Sequence, residues 1–137
     1  MAYGMLEEFI KTLCGDLEIK DVPKMDEKTK SLVFPFGDFE IAMKELEKGF
    51  HFKAIIDPCP NKKREDLFIK LMQANLIGQG TGGAVIGVDK QEKSLTLSLA
   101  LAYEMNYPTF KENLEDFINY LVYWKEAIQK AQEESIY

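Results

Sequence analysis

The segment Leu67-Phe-Ile-Lys-Leu-Met-Gln-Ala-Asn-Leu-Ile-Gly-Gln-Gly-Thr-Gly-Gly-Ala-Val-Ile-Gly-Val88 decides how the rest of the chain is organised. It predicts a helix, a glycine-rich turn and a buried strand. Up to Ile77, apolar residues occupy almost every angle of a 3.6-residue helix, which is typical of a helix buried on more than one side. The chain's own sheet can cover one side, and a second copy is the simplest cover for the other. The predicted dimer interface includes Phe68, Met72, Leu76 and Ile77.

The glycines after this helix predict a tight turn into the strand. Gly78 stands where a left-handed C-cap glycine belongs, and Gly80, Gly82 and Gly83 prolong the turn. The spacing also fits G-x-G-x-x-G, but the dinucleotide fingerprint follows a strand and opens a helix. Here the order is reversed, and a helix C-terminus carries partial negative charge that repels phosphate. No Gly-Lys-Ser/Thr follows either, so we predict no nucleotide site and no cofactor.

Composition predicts one globular domain over residues 1–137, with a mass of 15.7 kDa. The net charge of -6 argues against nucleic acid, whose phosphates require a basic face, and against anionic membranes. No apolar stretch approaches the roughly 20 residues of a membrane span, and no signal peptide is recognisable. Cys14 and Cys59 fit a reducing cytoplasm, although the sequence leaves a disulfide between them open.

The N-terminal half predicts a helix followed by a three-stranded meander. An apolar stripe runs from Met5 to Leu17, and a polar loop covers residues 20–30. Period-two alternation then predicts antiparallel strands with one buried face. Pro35 cannot donate a ladder hydrogen bond, which favours an edge position or a bulge for the first of them. The predicted strands are Ser31–Phe36, Phe39–Lys44 and Phe50–Asp57.

The C-terminal half predicts the central helix from about Asn61, two strands and a last helix. The strands are Ala84–Val88 and Ser94–Tyr103, the second with large side chains on one face and small ones on the other. Thr109-Phe-Lys-Glu112 fits a capping box, and a polar tail is expected from Gln129. The predicted fold is α+β in the order α-β-β-β-α-β-β-α, an antiparallel sheet packed by helices.

Catalytic and metal-binding residues are not predicted. His51, the one histidine, is expected at a solvated strand position. A Cys–His nucleophilic pair with Cys14 or Cys59 stays an alternative, although nothing in the sequence brings the residues together. Two cysteines and one histidine at unrelated spacings do not make a zinc site. The acidic residues are expected to be solvated; they include Glu7, Glu8, Glu45, Glu47, Glu112, Glu115 and Asp116.

The chain resembles the class I type III secretion chaperones of bacteria, the CesT-like family. The sharpest match is Leu71–Val88, which is similar to that family's "L-x-x-A-N-L…G…G-G…L-G" passage. The element order, size and acidic charge also fit. The resemblance implies a small cytoplasmic dimer without enzymatic activity, formed with itself or with a related chaperone. Such chaperones hold the N-terminal segment of a secreted effector extended, soluble and competent for the secretion ATPase.

We call the effector segment that such a chaperone binds its client. A client bound in extended form requires apolar pockets and an open sheet edge. The first helix and the meander carry more large apolar side chains than one helix stripe can cover, so we expect the effector to bind there. The expected effector-binding residues are Leu6, Phe9, Ile10, Leu13, Leu32, Phe34, Phe36, Phe39 and Ile41. Two alternatives stay open: a small enzyme that uses a cysteine with His51, and a same-fold adaptor or regulator that binds a folded partner.

Overall fold

The computed structural model describes residues 4–60, 64–77, 83–89, 91 and 93–134. The observed element order confirms the predicted α+β fold class. The elements are α1 (Met5–Asp16), β1 (Ser31–Phe36), β2 (Phe39–Glu45), β3 (Phe50–Pro58), α2 (Arg64–Ile77), β4 (Val85–Val88), β5 (Ser94–Leu101) and α3 (Tyr107–Glu134). Gly78, Gly80 and Gly82 of the predicted turn lie outside the described residues, and Gly83 has a φ of +89°.

The five strands form one antiparallel sheet in the order β1-β2-β3-β5-β4. The predicted meander is confirmed, with Gly37 at φ +58° in the two-residue turn between β1 and β2. β1 and β4 are therefore the two edges. Pro35 lies on edge strand β1, where its missing N–H costs the sheet no internal bond.

Both α1 and α3 pack on the same face of the sheet, and this double cover forms the core. Phenylalanine rings from the two helices and from β3 meet with centroids 5.0–5.8 Å apart. Such tilted and edge-on pairs add to the stabilisation that burial supplies. We expected one helix to leave some large apolar side chains of the first helix and the meander uncovered. That expectation was wrong, because two helices cover this face of the sheet. The clustered rings are Phe9, Phe50, Phe52, Phe110 and Phe117.

The start of α3 differs from the prediction. The Asn106 side-chain oxygen accepts a hydrogen bond from the Thr109 backbone N–H at 3.0 Å, so Asn106 is the cap and Thr109 lies in the first turn. The helix also continues to Glu134, past Gln129, where a polar tail was predicted. Long polar side chains have good helix propensity, and the sequence pattern underestimated this.

Glu45, predicted to be solvated, is instead a buried cap. Its side chain is only 3% exposed, and its two carboxylate oxygens accept hydrogen bonds from the backbone N–H groups of Gly4 and Leu6, at 3.0 and 2.8 Å. These amides belong to the N-terminus of α1, whose unpaired donors and positive dipole end favour a carboxylate. The end of β2 thus fixes where α1 begins.

Removing this cap should weaken the fold measurably. We expect Glu45→Ala to lower the free energy of unfolding by about 2 kcal/mol, because the buried Leu6 amide and the partly buried Gly4 amide lose a charged acceptor. Urea unfolding monitored by circular dichroism measures the loss. The matched control is Glu47→Ala, since Glu47 is exposed and close in sequence. Equal stability of the two variants would contradict the capping role.

The β2–β3 loop passes very close to the end of β5 at Gly49. This glycine has a φ of +93°, and a Cβ built on it would collide with the Leu101 carbonyl and lie 2.8 Å from the Tyr103 nitrogen. Both neighbours are backbone atoms, and Leu101 belongs to the β3–β5 ladder. The close approach therefore requires glycine.

Candidate binding groove at the edge of the sheet

An apolar cavity of about 220 Å³ lies between α1 and α3 beside β1. We call it the edge groove. Its floor includes the inner side chains of α1 and β1, and polar residues of α3 stand at its rim. Phe36 and Leu17 are 40% and 45% exposed, so the cavity meets solvent through large apolar side chains. The lining residues are Leu13, Leu17, Phe34, Phe36, Lys111, Leu114, Glu115, Ile118 and Asn119.

The two helical walls of the edge groove are joined at one end. The Tyr107 hydroxyl of α3 donates a hydrogen bond to Asp16 Oδ2 of α1 at 2.7 Å, and Lys111 Nζ lies 3.9 Å from the same oxygen. Burial, together with the bond to Asp16, raises the pKa of Tyr107 to about 12. The phenol therefore stays protonated at physiological pH and keeps donating. This pair links α1 and α3 at that end of the edge groove.

The backbone of β1 borders the edge groove. Its successive residues direct their hydrogen-bonding groups alternately toward β2 and toward the outer side of the sheet. The Lys30 carbonyl accepts from Glu45 N–H of β2 at 2.9 Å, whereas the N–H and C=O of Ser31 pair with Asp26, away from β2. Because hydrogen-bonding directions alternate along a strand, Val33 and Pro35 also face outward. Among the described residues, Asp26 is the one that pairs with this outer side.

The structure places eight of the nine expected effector-binding residues in the core. They are buried because α1 and α3 together cover that face of the sheet, and only Phe36 is substantially exposed. Leu13 and Phe34 still form part of the floor of the edge groove. The other buried ones are Leu6, Phe9, Ile10, Leu32, Phe39 and Ile41. The surface open to a partner is therefore narrower than the sequence predicted.

The contribution of α3 to this site was not predicted from the sequence. Leu114 and Ile118 are buried apolar residues of that helix that line the cavity, and no functional role was expected for them. Leu17 was counted on the stripe of α1 without a functional role. All three are apolar residues of a helical pattern, and the sequence alone cannot distinguish such a residue lining an open cavity from one in the core.

A second apolar surface lies on α2 beside β4. The helix was predicted to be buried on more than one side. Among its described side chains, only Leu67 and Leu71 are fully buried within this chain, and Met72 and Leu76 are 67% and 87% exposed. Phe68 is half-buried and lines a cavity of about 210 Å³ with Met72. The side chain of Ile77 lies outside the described residues. We call Phe68, Ile69, Met72 and Leu76 the α2 patch.

Asn75 joins α2 to the edge strand β4. Its side-chain oxygen accepts from Ile86 N–H and its side-chain nitrogen donates to the Ile86 carbonyl, both at 2.8 Å. The amide thus bonds Ile86 as a neighbouring strand would. This contact occupies the outward hydrogen-bonding groups in the middle of the β4 edge and ties α2 to that strand.

The cysteines and the histidine do not form a nucleophilic pair. Cys14 is buried among the core residues of α1, and burial raises the pKa of its thiol. His51 lies half-buried on the other face of the sheet, where burial and then Lys53 and Lys44 lower its pKa. Cys59 follows the far end of β3, eight residues from His51, or roughly 26 Å along a strand. The described residues also hold no cluster of three metal-ligating side chains.

Comparison with protein families gives one extensive match. The profile of the Tir chaperone protein (CesT) family matches residues 8–125. That range includes most of α1, the whole sheet, α2 and most of α3. No curated protein matches the sequence. Within the described residues, no helix has the length and apolarity that crossing a membrane requires.

Solved structures share the fold at low sequence identity. The ExsC–ExsE complex gives a TM-score of 0.72 at 12% identity, over 89% of this chain and 92% of that chain. The HopA1–SchA chaperone–effector complex gives 0.64 at 15%, over 90% and 98%. The heterodimeric ExoU–SpcU complex from the type III secretion system of Pseudomonas aeruginosa gives 0.54 at 18%, over 72% and 78%.

Proposed function

Because this chain belongs to the Tir chaperone protein (CesT) family, we propose that it binds the N-terminal segment of a type III secreted effector. The segment is held in extended form and so kept soluble and competent for secretion. The observation that carries this function is the edge groove, an apolar cavity open to solvent beside a strand with outward-facing backbone groups. The structurally similar HopA1–SchA pair is a chaperone–effector complex, which supports the same assignment.

The chemistry of the edge groove suits an unfolded client. Strand addition uses backbone hydrogen bonds that every sequence can make, and a pocket selects for an apolar side chain. A folded partner would need a broad complementary surface, whereas this cavity accommodates about one large side chain. The net charge of -6 offsets the solubility cost of leaving Phe36 and Leu17 exposed.

The working form of the protein, in this proposal, is a cytoplasmic homodimer without enzymatic activity. The α2 patch supplies the apolar surface for the second copy, with a related chaperone as the alternative partner. The secretion ATPase would receive the loaded complex. The separation of His51 from both cysteines argues against the small-enzyme alternative. The same-fold adaptor is not favoured, because the family match extends over most of the chain.

The test replaces Phe36 by aspartate. N-terminal segments of type III secreted proteins from the source bacterium, each fused to a fluorescent protein, are coexpressed with the chain and copurified. We expect Phe36→Asp to lower capture of the cognate segment at least tenfold, because a charge at the mouth of the edge groove must be desolvated. The matched control is Ile55→Asp, an exposed strand position on the opposite face.

Unchanged capture by Phe36→Asp would place the client elsewhere. Capture of folded domains in preference to N-terminal segments would instead favour the adaptor. Phe9 and Phe34 are unsuitable for this test, because a charge at either buried position would unfold the core.

A further inference from the structure

We propose that the edge of β1 admits only a short stretch of an added client strand, centred on Val33, and that Asp26 and Pro35 set its two ends. The inference rests on the proposed function and specifies which part of a client binds to β1. Within that stretch, one large apolar side chain of the client enters the edge groove. To bind at this edge, the client therefore needs an extended segment with one large apolar side chain, which we call its anchor.

The N-terminal limit comes from the chain itself. Asp26 N–H donates to the Ser31 carbonyl at 2.7 Å, and Ser31 N–H donates to the Asp26 carbonyl at 3.4 Å. Ser31 therefore already has an antiparallel neighbour on its outer side. A client strand that extended in this direction would have to displace that neighbour.

The C-terminal limit is chemical. Pro35 faces outward on the same side as Ser31 and Val33, so its carbonyl can accept a hydrogen bond but no N–H is present to donate. Between Asp26 and Pro35, Val33 alone offers both a donor and an acceptor. A client strand is held by the two groups of Val33 and by the Pro35 carbonyl.

The opposite edge of the sheet does not compete for the same client. Ile86 faces outward in the middle of β4, and the Asn75 side chain takes up both its N–H and its C=O at 2.8 Å. Strand addition across β4 would have to break both bonds. The client is therefore directed to β1.

The position of the apolar anchor follows from the register. A strand added beside β1 places one residue opposite Phe34, with its side chain on the same face as Phe34. That face is the helix-covered one, and the edge groove opens there between Leu17 and Phe36. The client residues on either side of the anchor point to the opposite face, next to exposed Val33, where polar side chains are tolerated.

The experiment changes only the hydrogen-bonding capacity of the β1 edge. The probe is a phage-displayed library of random dodecapeptides, panned on the full chain, and binding of one selected peptide is measured by titration calorimetry. Val33→Pro removes the outward N–H, and Val33→Thr is its matched control. Pro35→Val adds an outward N–H, and Pro23→Val controls for the loss of a proline outside the strands.

We expect Val33→Pro to weaken binding about three- to tenfold relative to Val33→Thr, the contribution of one hydrogen bond. Pro35→Val should strengthen binding by a similar factor, a gain that damage to the fold would not produce. Selected peptides should share one large apolar residue between polar neighbours. If peptides bind and Pro35→Val leaves their affinity unchanged, the edge limits are wrong while the proposed function stands. If no peptide and no effector segment binds, both are wrong.

Discussion

The variant Gly49→Ala is expected to lose more stability than any other alanine substitution proposed for this protein. We expect a loss on the order of 3 kcal/mol of unfolding free energy, combining left-handed backbone strain with overpacking against backbone. The added methyl group would overlap the Leu101 carbonyl, which the β3–β5 ladder holds in place. Relief requires the loop to lift from the sheet, and the Phe50–Leu101 pairing beside it would be disturbed.

The comparison with Gly37→Ala separates the two contributions. Gly37 has a φ of +58°, but no atom lies within 4 Å of the position that an added methyl group would occupy, so strain alone should cost about 1 kcal/mol there. Urea unfolding of both variants gives the two losses under the same conditions. If Gly49→Ala lowers the free energy of unfolding no more than Gly37→Ala does, the β2–β3 loop can move away from β5 without an energetic cost.

A paired charge insertion on α2 is expected to separate the proposed dimer. Met72→Glu combined with Leu76→Glu places two carboxylates in the α2 patch, where a second copy would have to bury them. We expect the dissociation constant to rise at least 100-fold, about 2.7 kcal/mol. Light scattering should then change from about 31 kDa, twice the chain mass, to 15.7 kDa.

The matched control is Gln73→Glu, an exposed position on the same helix. It adds charge without altering the α2 patch and should leave the dimer intact. If the parent chain is a stable monomer at micromolar concentration, the homodimer proposal fails. Dimerisation only after a related chaperone is added would assign the α2 patch to a heterodimer instead.

Strand positions were predicted well from sequence because period-two alternation depends on local pattern. β1 begins and ends at the predicted residues, and β2 and β3 each extend one residue further. Helix ends were predicted less well where two caps compete. Asn106 and Thr109 both suit a cap, and the structure selects Asn106, three residues earlier.

The candidate site was harder to predict because burial depends on which elements meet. Phe34 and Phe36 have the same residue type, strand and face, yet one is core and the other is at the mouth of the edge groove. Only the placement of α3 decides between them. Glu45 shows the same limitation for polar residues, since its partner amides lie about 40 residues away in α1.

The Tyr107–Asp16 hydrogen bond also has a consequence for synthesis on the ribosome, because it joins residues 91 positions apart. The nascent chain makes α1 before α3, and α3 carries Leu114 and Ile118 of the edge groove. A partly synthesised chain therefore has a sheet whose apolar face lacks half its cover. If the client binds in the edge groove as proposed, recognition has to wait for α3 to emerge, and until then the exposed phenylalanines are a hazard for misassembly with other nascent chains.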